Sequence, residues 1–542
     1  MRPRIVASPE TTTDAHVTSP QRDRFEQFCS RCIRLDDPAV ELDFSLAQIE
    51  DQAIQALLPS LQRALSAMEQ IDGGAVANAD EGRMVGHYWL RAPFLAPSPD
   101  IQDEIAATLA RIETFALDVL EGRVLAPSGK RYAKLVLCGI GGSALGPMLL
   151  GDAFLGRDSR ALQLCVLDNT DPDGIDRELG KLGALDDALV LVVSKSGGTP
   201  ETRNGMLEVM RTFAAKGLAF GPQAVAITTT GSALFAIAQK ERFLATFPMW
   251  DWVGGRTSIT SAVGLLPGAL LGMDVRAFLA GAAAMDAQSR SADVRINPSA
   301  MLAAYWHVQG RGHGERAMVV LPYKDRLVLL SRYLQQLVME SIGKKLDRKG
   351  REVLQGLSVY GNKGSTDQHA YVQQLRDGRH DFFATFVRVL RDRDAALAAF
   401  EVEPQITAGD YLDGFWQGTR AALAESGRAS LTITLDAVDE RSLGAIVALF
   451  ERAVGIYAEL IDVNAYHQPG VEAGKKAAAL VLSRQKKVQG ALTADARTAQ
   501  QIAASIGEDA TDCWPILCHL AANGRARRLG APDPKLARFQ RA

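Results

Sequence analysis

The spacing of apolar residues predicts a helical region in the first quarter of the chain. Between residues 46 and about 120, apolar side chains recur three and four positions apart, and one such series is Ile54, Leu57, Leu58, Leu61 and Leu65. This period matches one face of an α-helix. We therefore expect amphipathic helices in this part of the chain.

Short apolar runs alternate with helical segments from residue 134 onward. Runs typical of buried strands cover 134–138, 162–168, 188–193, 223–228 and 243–249. A helical stretch follows over 275–310, and further runs lie near 316–322, 353–358, 382–389 and 430–435. Strands that alternate with helices indicate βαβ units, in which helices cover both faces of a parallel sheet.

The predicted fold class is therefore α/β, with two doubly wound parallel-sheet subdomains and helical extensions at both ends. The expected division is a helical N-terminal region over 1–125, a first α/β subdomain over 126–290, a second over 291–485 and a small helical tail over 486–542.

The tail allows two interpretations. Residues 493–506 and 512–522 have the pattern of two short helices, and Arg525, Arg527 and Arg528 follow them. A helix pair with a basic trailing segment is compatible with a small winged-helix unit. Because no basic stripe continues along the tail, a helical appendage is the favoured interpretation.

Two of the predicted strands end in turns that suit an anion. The strand over 188–193 runs into Ser194, Lys195, Ser196 and Thr199 around two glycines, and a helix follows. The strand over 134–138 runs into a glycine-rich turn that contains Ser143. Backbone N–H groups at a helix N-terminus, together with hydroxyls, attract negative charge. The pair of turns predicts a small phosphorylated ligand at the carboxyl ends of parallel strands.

Neither turn is a nucleotide motif. The glycines at 197 and 198 are not followed by Lys-Ser/Thr at the spacing of a phosphate-binding P-loop. The turn at 139–142 does not complete the G-x-G-x-x-G of a dinucleotide site. The alternative is that these glycines only permit tight turns between strand and helix. We expect no nucleotide cofactor.

Composition and charge narrow the class of partner. The chain has 542 residues, of which 47% are hydrophobic and 23% charged, as in an ordinary globular protein with large buried cores. The net charge of −3 does not attract nucleic acid or an acidic membrane. There is no apolar stretch of about 20 residues and no apolar signal core in residues 1–22. We expect a cytoplasmic protein without nucleic-acid or membrane partners.

The cysteines do not indicate a metal site. Cys29 and Cys32 form a C-x-x-C, which redox and zinc sites use, and Cys513, Cys518 and His519 are the residues that could complete four ligands. Structural thiols are the favoured interpretation for a cytosolic chain. With no H-E-x-x-H motif in the sequence, we expect no metal.

Two charged residues are candidates for chemistry. Glu340 lies four positions after Gln336 in a predicted helix, so both share one face. A part-buried carboxylate can serve as a base, whereas a solvated position is the alternative. Arg256 follows two glycines, where its guanidinium can approach a ligand and hold an oxyanion. An interdomain ion pair is the alternative role for Arg256.

Two later loops carry further candidates. His369 ends a polar loop and can titrate near neutral pH, with His467 as a competing histidine. Gln468 precedes a Pro-Gly helix start, which places it and Lys475 near another helix N-terminus.

Six segments, taken together and in order, resemble the phosphoglucose isomerase family. They are 139–147, 194–202, 251–258, 334–341, 364–369 and 468–475, and the resemblance covers roughly 134–480. It implies two sugar-isomerase (SIS) subdomains. It also implies reversible conversion of glucose 6-phosphate to fructose 6-phosphate through a cis-enediol(ate), without a cofactor.

The resemblance also implies roles for individual residues. Glu340 would move a proton between C2 and C1, Arg256 would stabilise the enediolate, and His369 and Lys475 would assist ring opening. The substrate and its phosphate would be held by Gly142, Ser143, Ser194, Lys195, Ser196, Thr199 and Gln468. In this family the histidine comes from the neighbouring subunit, so a homodimer is expected.

Substrate breadth stays open at this point. The phosphate turn has two small glycines between its hydroxyls, and the tail resembles the isomerase half of transaldolase–isomerase fusions. An isomerase that also accepts mannose 6-phosphate, a non-catalytic sugar-phosphate sensor and a metal-dependent aldose isomerase are the alternatives.

Overall fold

The structure is a computed structural model that describes residues 19–154, 156, 158–393, 400–530 and 532–542. For residues 19–24, 471–473, 475 and 476 it describes the backbone alone. The chain forms two compact units, of which the first ends at His467 and the second begins at Gln468. Within the described ranges, no helix is both long and apolar enough to span a membrane.

The helices of the first unit are α1 Ser19–Ser30, α2 Asp51–Asp72, α3 Pro99–Leu120, α4 Gly142–Phe154, α5 Pro172–Leu182, α6 Pro200–Ala215, α7 Ala233–Lys240, α8 Ala262–Leu270, α9 Val275–Gln288, α10 Pro298–Gln309, α11 Leu330–Leu334, α12 Val372–Asp377, α13 Ala408–Glu425 and α14 Glu440–Leu460. Those of the second unit are α15 Pro469–Ala491, α16 Ala499–Ile506 and α17 Ala510–Ala522.

The strands of the first unit are β1 Cys32–Leu35, β2 Val40–Asp43, β3 Lys134–Cys138, β4 Gln163–Leu167, β5 Ala188–Val193, β6 Ala224–Thr228, β7 Ala245–Pro248, β8 Ala317–Pro322, β9 Lys344–Leu346, β10 Glu352–Gln355, β11 Val359–Tyr360, β12 Phe382–Val389, β13 Glu401–Glu403, β14 Ile406–Thr407 and β15 Ser430–Leu435. Those of the second unit are β16 Arg497–Thr498, β17 Ala526–Leu529 and β18 Arg538–Arg541.

Many of the helices start at a residue whose side chain accepts a hydrogen bond from a first-turn N–H. Such N-caps leave fewer unpaired donors and fix where the helix begins. Examples are Ser98 for α3, Asp171 for α5, Ser232 for α7, Asp274 for α9 and Asn297 for α10.

The first predicted sheet is confirmed. Its strand order is β4-β3-β5-β6-β7, and every neighbouring pair is parallel. All six residues of β5 are buried, because helices cover both faces of the sheet. The turns after β3 and β5 therefore lie at the same edge, at the carboxyl ends of the strands.

The second sheet is mixed rather than wholly parallel. Its order is β1-β2-β15-β12-β8-β11, and β15, β12, β8 and β11 are parallel. The β1–β2 hairpin from the N-terminal region pairs antiparallel with β15, and the apolar pattern did not predict it. Charged Arg34 and Glu41 alternate with buried positions in two four-residue strands, which is too short a pattern to stand out.

The strand predicted near 353–358 divides in two. Glu352–Gln355 pairs antiparallel with Lys344–Leu346 in a separate hairpin, and Val359–Tyr360 supplies the edge of the main sheet. Gly356 lies between the two segments and breaks the apolar run.

The second unit adds a small sheet to the two predicted helices of the tail. Strands β16, β18 and β17 form an antiparallel sheet beside α16 and α17, which is the element order of a winged helix. Ala526 and Phe539 are buried in its core, while the arginines of β17 and β18 obscure the strand pattern in the sequence.

Helices α9 and α14 cross closely in the core of the first unit. A Cβ at Gly281 would lie 1.9 Å from the Arg441 carbonyl oxygen, and one at Gly444 would lie 2.0 Å from the Phe278 carbonyl oxygen. The missing side chains thus let the two backbones touch.

An ionic network lies buried at this crossing. The Asp286 carboxylate accepts hydrogen bonds from Arg91 and Arg452, each at 2.8 Å, and Arg91 also pairs with Glu451. Burial alone raises the pKa of the Asp286 carboxyl, but Arg452 and Arg91 outweigh it and the net pKa lies well below its ordinary value. Asp286 is therefore ionised and holds three segments of the chain together.

We expect Asp286→Asn to destabilise the protein by about 3–5 kcal/mol, because it removes the carboxylate that two buried guanidinium groups share. Urea unfolding at pH 7 measures the change, with the exposed Asp103→Asn as a matched control. A loss below about 1 kcal/mol, the size of a surface pair, would contradict a structural role for the network.

Candidate active site

The turn after β3 packs directly on the loop that carries Arg256. Gly141 has a φ of +58°, and a Cβ at Gly142 would lie 1.9 Å from the Gly255 carbonyl oxygen. This approach places Ser143, in the first turn of α4, beside the 3₁₀ turn Gly255–Thr257. The backbone contact accounts for Gly142 by itself, and its predicted contact with substrate stays a prediction.

Arg256 and Glu340 form a part-buried ion pair. Arg256 Nη1 lies 2.9 Å from Glu340 Oε1, and the guanidinium side chain is 6% exposed. The second carboxylate oxygen accepts a hydrogen bond from Gln336 Nε2 at 2.9 Å. Glu340 is therefore not the solvated residue of the alternative interpretation. Its carboxylate is oriented from both sides.

Glu340 ends a π-helical turn over Gln335–Glu340 that follows α11. Turns of this kind are rare and often occur at functional sites. Here the turn lines a cavity of about 570 Å³ together with the glycine turn after β3. Asp168 and Asn169, from the end of β4, line the same cavity.

The other face of Arg256 is held by main-chain oxygens. Its Nη2 donates to the carbonyl of Ala465 and, at 3.1 Å, to that of His467. Burial lowers the pKa of Arg256, although Glu340 acts in the opposite direction. The guanidinium is thus fixed in place between a carboxylate and two carbonyls.

The turn after β5 carries the predicted phosphate ligands. Ser194 Oγ accepts a hydrogen bond from the Gly197 N–H, and Ser196 Oγ accepts one from the Gly198 N–H, both at 3.1 Å. Thr199 is the N-cap of α6, and its hydroxyl makes no capping hydrogen bond. The first-turn N–H groups of a sixteen-residue helix therefore adjoin three hydroxyls.

Lys195 connects this turn to the Arg256 loop. Its ammonium donates to the Asp251 carbonyl at 2.9 Å and lies 3.5 Å from the Asp251 carboxylate. Burial lowers the pKa of Lys195, and Asp251 partly offsets the effect.

Three predicted residues remain, which are His369, Gln468 and Lys475. His369 ends the 3₁₀ turn Thr366–His369 and is exposed; no hydrogen bond or ion pair in the described part of the chain joins it to Glu340 or Arg256. Gln468 is the N-cap residue of α15 and opens the second unit. The side chain of Lys475 lies outside the described residues.

Two neighbours of the pair were not among the predicted residues. Lys344 is 5% exposed and donates to the carbonyls of Glu340 and His467. Asp80 lies 3.3 Å from His467 Nε2. For Lys344, the only local signal was a Gly-Lys pair that begins three positions after the candidate base. For Asp80 the signal is its local sequence, since 78–83 weakly resembles the N-terminal region of the phosphoglucose isomerase family.

The described residues form no cluster that suits a metal ion. In the described ranges, no group of three or more His, Cys, Asp and Glu side chains could hold an ion. Cys29 and Cys32 are free, and burial raises the pKa of the Cys32 thiol, which keeps it protonated.

The site combines a guanidinium–carboxylate pair with hydroxyl-bearing strand-to-helix turns, which is typical of the class of α/β proteins that bind a small anionic ligand at the carboxyl ends of parallel strands. Comparison with known proteins narrows the class. The sequence model of the family described as phosphoglucose isomerase matches residues 43–403 and 420–502. The chain belongs to the phosphoglucose isomerase family, as its six segments predicted.

Individual relatives agree with this assignment. The chain is 55% identical over 496 residues to the glucose-6-phosphate isomerase of Geobacter sp., which covers 90% of this chain and 93% of that relative. It is 55% identical over 501 residues to that of Synechococcus elongatus, with 91% and 94% covered.

Solved structures share the fold. A hypothetical protein from Thermus thermophilus has a TM-score of 0.69 and 28% identity, covering 82% of this chain and 99% of its own. A glucose-6-phosphate isomerase from Chlamydia trachomatis has a TM-score of 0.75 and 24% identity, with 85% and 91% covered.

We expect Gly142→Ala to destabilise the protein by about 1–3 kcal/mol, because the added methyl must push the two loops apart. Gly414→Ala is the control, since nothing lies within 4 Å of a Cβ there and alanine favours the exposed helix. Thermal unfolding of both variants checks the prediction, and equal behaviour would contradict the close approach.

Proposed function

We propose that the protein interconverts glucose 6-phosphate and fructose 6-phosphate through a cis-enediol(ate), in glycolysis or gluconeogenesis and without a cofactor. The observation that carries the proposal is the 2.9 Å pair of Arg256 and Glu340 at the turns that suit a phosphate. Relatives with 55% identity over most of the chain are named glucose-6-phosphate isomerase, which supports it.

In this proposal the phosphate anchors the substrate. The hydroxyls of Ser194, Ser196 and Thr199, with Lys195, Ser143 and Gln468, bind it or the adjacent sugar. Four or five charge-assisted hydrogen bonds at about 1.5–3 kcal/mol each are enough to hold a phosphate dianion. Binding energy from that end then orients the sugar carbons at the base.

Glu340 takes the proton from C2 of the aldose and returns it to C1. As the carboxylate becomes neutral, negative charge develops on the enediolate oxygens. The guanidinium of Arg256, already paired with that carboxylate, is the group that can stabilise the displaced charge. A positioned base alone contributes about 10²–10⁴-fold, so this oxyanion stabilisation is needed as well. His369 and Lys475 assist ring opening.

We expect Glu340→Gln to remove nearly all turnover while substrate affinity stays within several-fold of wild type. The reason is that the amide has the shape of the carboxylate but cannot take a proton. A coupled assay with fructose 6-phosphate, without added metal or cofactor and after exhaustive chelation, measures it. The exposed Glu425→Gln is the matched control. A variant with more than about a tenth of wild-type kcat would contradict the role of Glu340.

The proposal extends to a cytoplasmic homodimer in which His369 acts in the neighbouring site. Its support is the exposure of His369 and of nearby apolar side chains. Gln368 Nε2 donates to the Phe415 carbonyl at 3.1 Å, and the exposed apolar residues of this β13–α13 surface are Phe400, Val402, Ile406, Tyr411 and Phe415. Exposed apolar surfaces of this kind mark protein–protein contacts.

We expect mixed dimers to recover activity from two inactive variants. When Glu340→Gln and His369→Ala chains are refolded together, about half of the dimers are mixed, and each mixed dimer contains one intact site. Specific activity should then rise to about a quarter of wild type, against near zero for each variant alone. No recovery, with dimers shown by light scattering, would place the histidine in its own subunit's site.

The division of the chain is also a proposal. We assign the first sheet to a sugar-isomerase subdomain over 126–290 and β8, β11, β12 and β15 to a second over 291–485, with 1–125 and 486–542 as extensions. The two parallel strand sets within these ranges support it.

Nothing among the described residues favours a mannose 6-phosphate isomerase or a non-catalytic sensor.

A further inference from the structure

A buried lysine next to the ion pair has no role in the steps above. Lys344 begins β9 and follows Glu340 by four positions, yet it is only 5% exposed. Lysine is seldom buried so fully unless its ammonium has specific partners. Those partners are main-chain oxygens: Nζ donates to the Glu340 carbonyl at 2.8 Å and to the His467 carbonyl at 2.9 Å.

These contacts close a ring of interactions with the ion pair. The His467 carbonyl that accepts from Lys344 also accepts from Arg256 Nη2 at 3.1 Å. Arg256 in turn pairs with the Glu340 carboxylate at 2.9 Å, and the Glu340 main chain returns to Lys344. One ammonium thus holds the end of the π-helical turn and the loop that supports the guanidinium.

We infer that Lys344 is a positioning residue that sets the distance between Glu340 and Arg256, an inference that rests on the proposed isomerase function. Without its ammonium, the carbonyl oxygens of Glu340 and His467 each lose one donor, and the π-helical turn loses this tie to the 465–467 loop. A shift of about 1 Å between catalytic groups can cost about 100-fold in rate.

The charge on Lys344 should also affect how kcat/KM depends on pH. The charged or titratable groups that face Lys344 are Arg256, Asp80 and His467 from three other segments, and Glu340 from its own segment. Burial and then Arg256 lower the pKa of Lys344 to about 7, while Glu340 and Asp80 act in the opposite direction. As pH rises through that pKa the ammonium loses its proton, so positive charge near the developing enediolate falls on the alkaline side.

The test compares Lys344→Met with the exposed neighbour Lys345→Met, in full-length protein. We expect Lys344→Met to lower kcat by about 10- to 100-fold while KM stays within about 3-fold of wild type. The fall of kcat/KM at alkaline pH, here called the alkaline limb, should also be absent from this variant. Lys345→Met should retain both kcat and the limb. A Lys344→Met enzyme with kcat within about 3-fold of wild type would overturn the inference.

A second variant covers the case in which Lys344→Met does not fold. Lys344→Gln keeps an amide donor for the carbonyls but carries no charge. Its kcat should be higher than that of the methionine variant, but the alkaline limb of kcat/KM should still be absent. A Lys344→Gln enzyme with the kcat and the pH profile of wild type would overturn the inference.

A structural readout separates this inference from the proposed function. In a crystal structure of Lys344→Met, or of Lys344→Gln if only that variant folds, the Arg256–Glu340 contact should lengthen or break, and an unchanged contact counts against Lys344. Wild-type protein without isomerase activity would refute the proposed function. The crystal structure would still decide whether Lys344 sets the distance between Arg256 and Glu340.

Discussion

The candidate site depends on one interaction, the part-buried pairing of the Arg256 guanidinium with the Glu340 carboxylate. Either charge alone would be costly to bury. Together, with the carbonyls of Ala465 and His467 on one side and Gln336 on the other, both are compensated. The same compensation suits isomerisation, because charge that leaves the carboxylate during proton transfer stays beside the guanidinium.

The scaffold explains why this pair can be held rigidly. Helix α14 is buried along almost its whole length and leads into the loop whose carbonyls support Arg256. Its position is set by the glycine crossing with α9 and by the Asp286 network. The parts of the molecule that hold the pair are thus packed backbone and buried charge rather than flexible surface loops, which is what a preorganised site needs.

Much of the fold was predictable where a sheet is covered on both faces. The buried β5 is a continuous apolar run, and its hydroxyl turn follows directly in the chain, so strand, turn and helix could be assigned from local pattern. The hairpin of Cys32–Leu35 and Val40–Asp43 was not predictable in the same way. Its strands are four residues long and carry charged residues next to buried positions, and only pairing with β15 makes them part of a sheet. The arginine-rich strands of the tail escaped prediction for the same reason.

The sequence by itself determined the alternation of strands and helices in the first sheet, the chemistry of the two turns, the candidates Arg256 and Glu340, and the family. The tertiary structure alone decided that Gln336 and Arg256 share the Glu340 carboxylate, that Lys195 lies on the Asp251 loop and that Lys344 joins the cluster. The physical reason is distance along the chain. Periodicity reports burial over about ten residues, whereas Arg256 and the Ala465 carbonyl are 209 positions apart and meet only because packed helices bring their loops together.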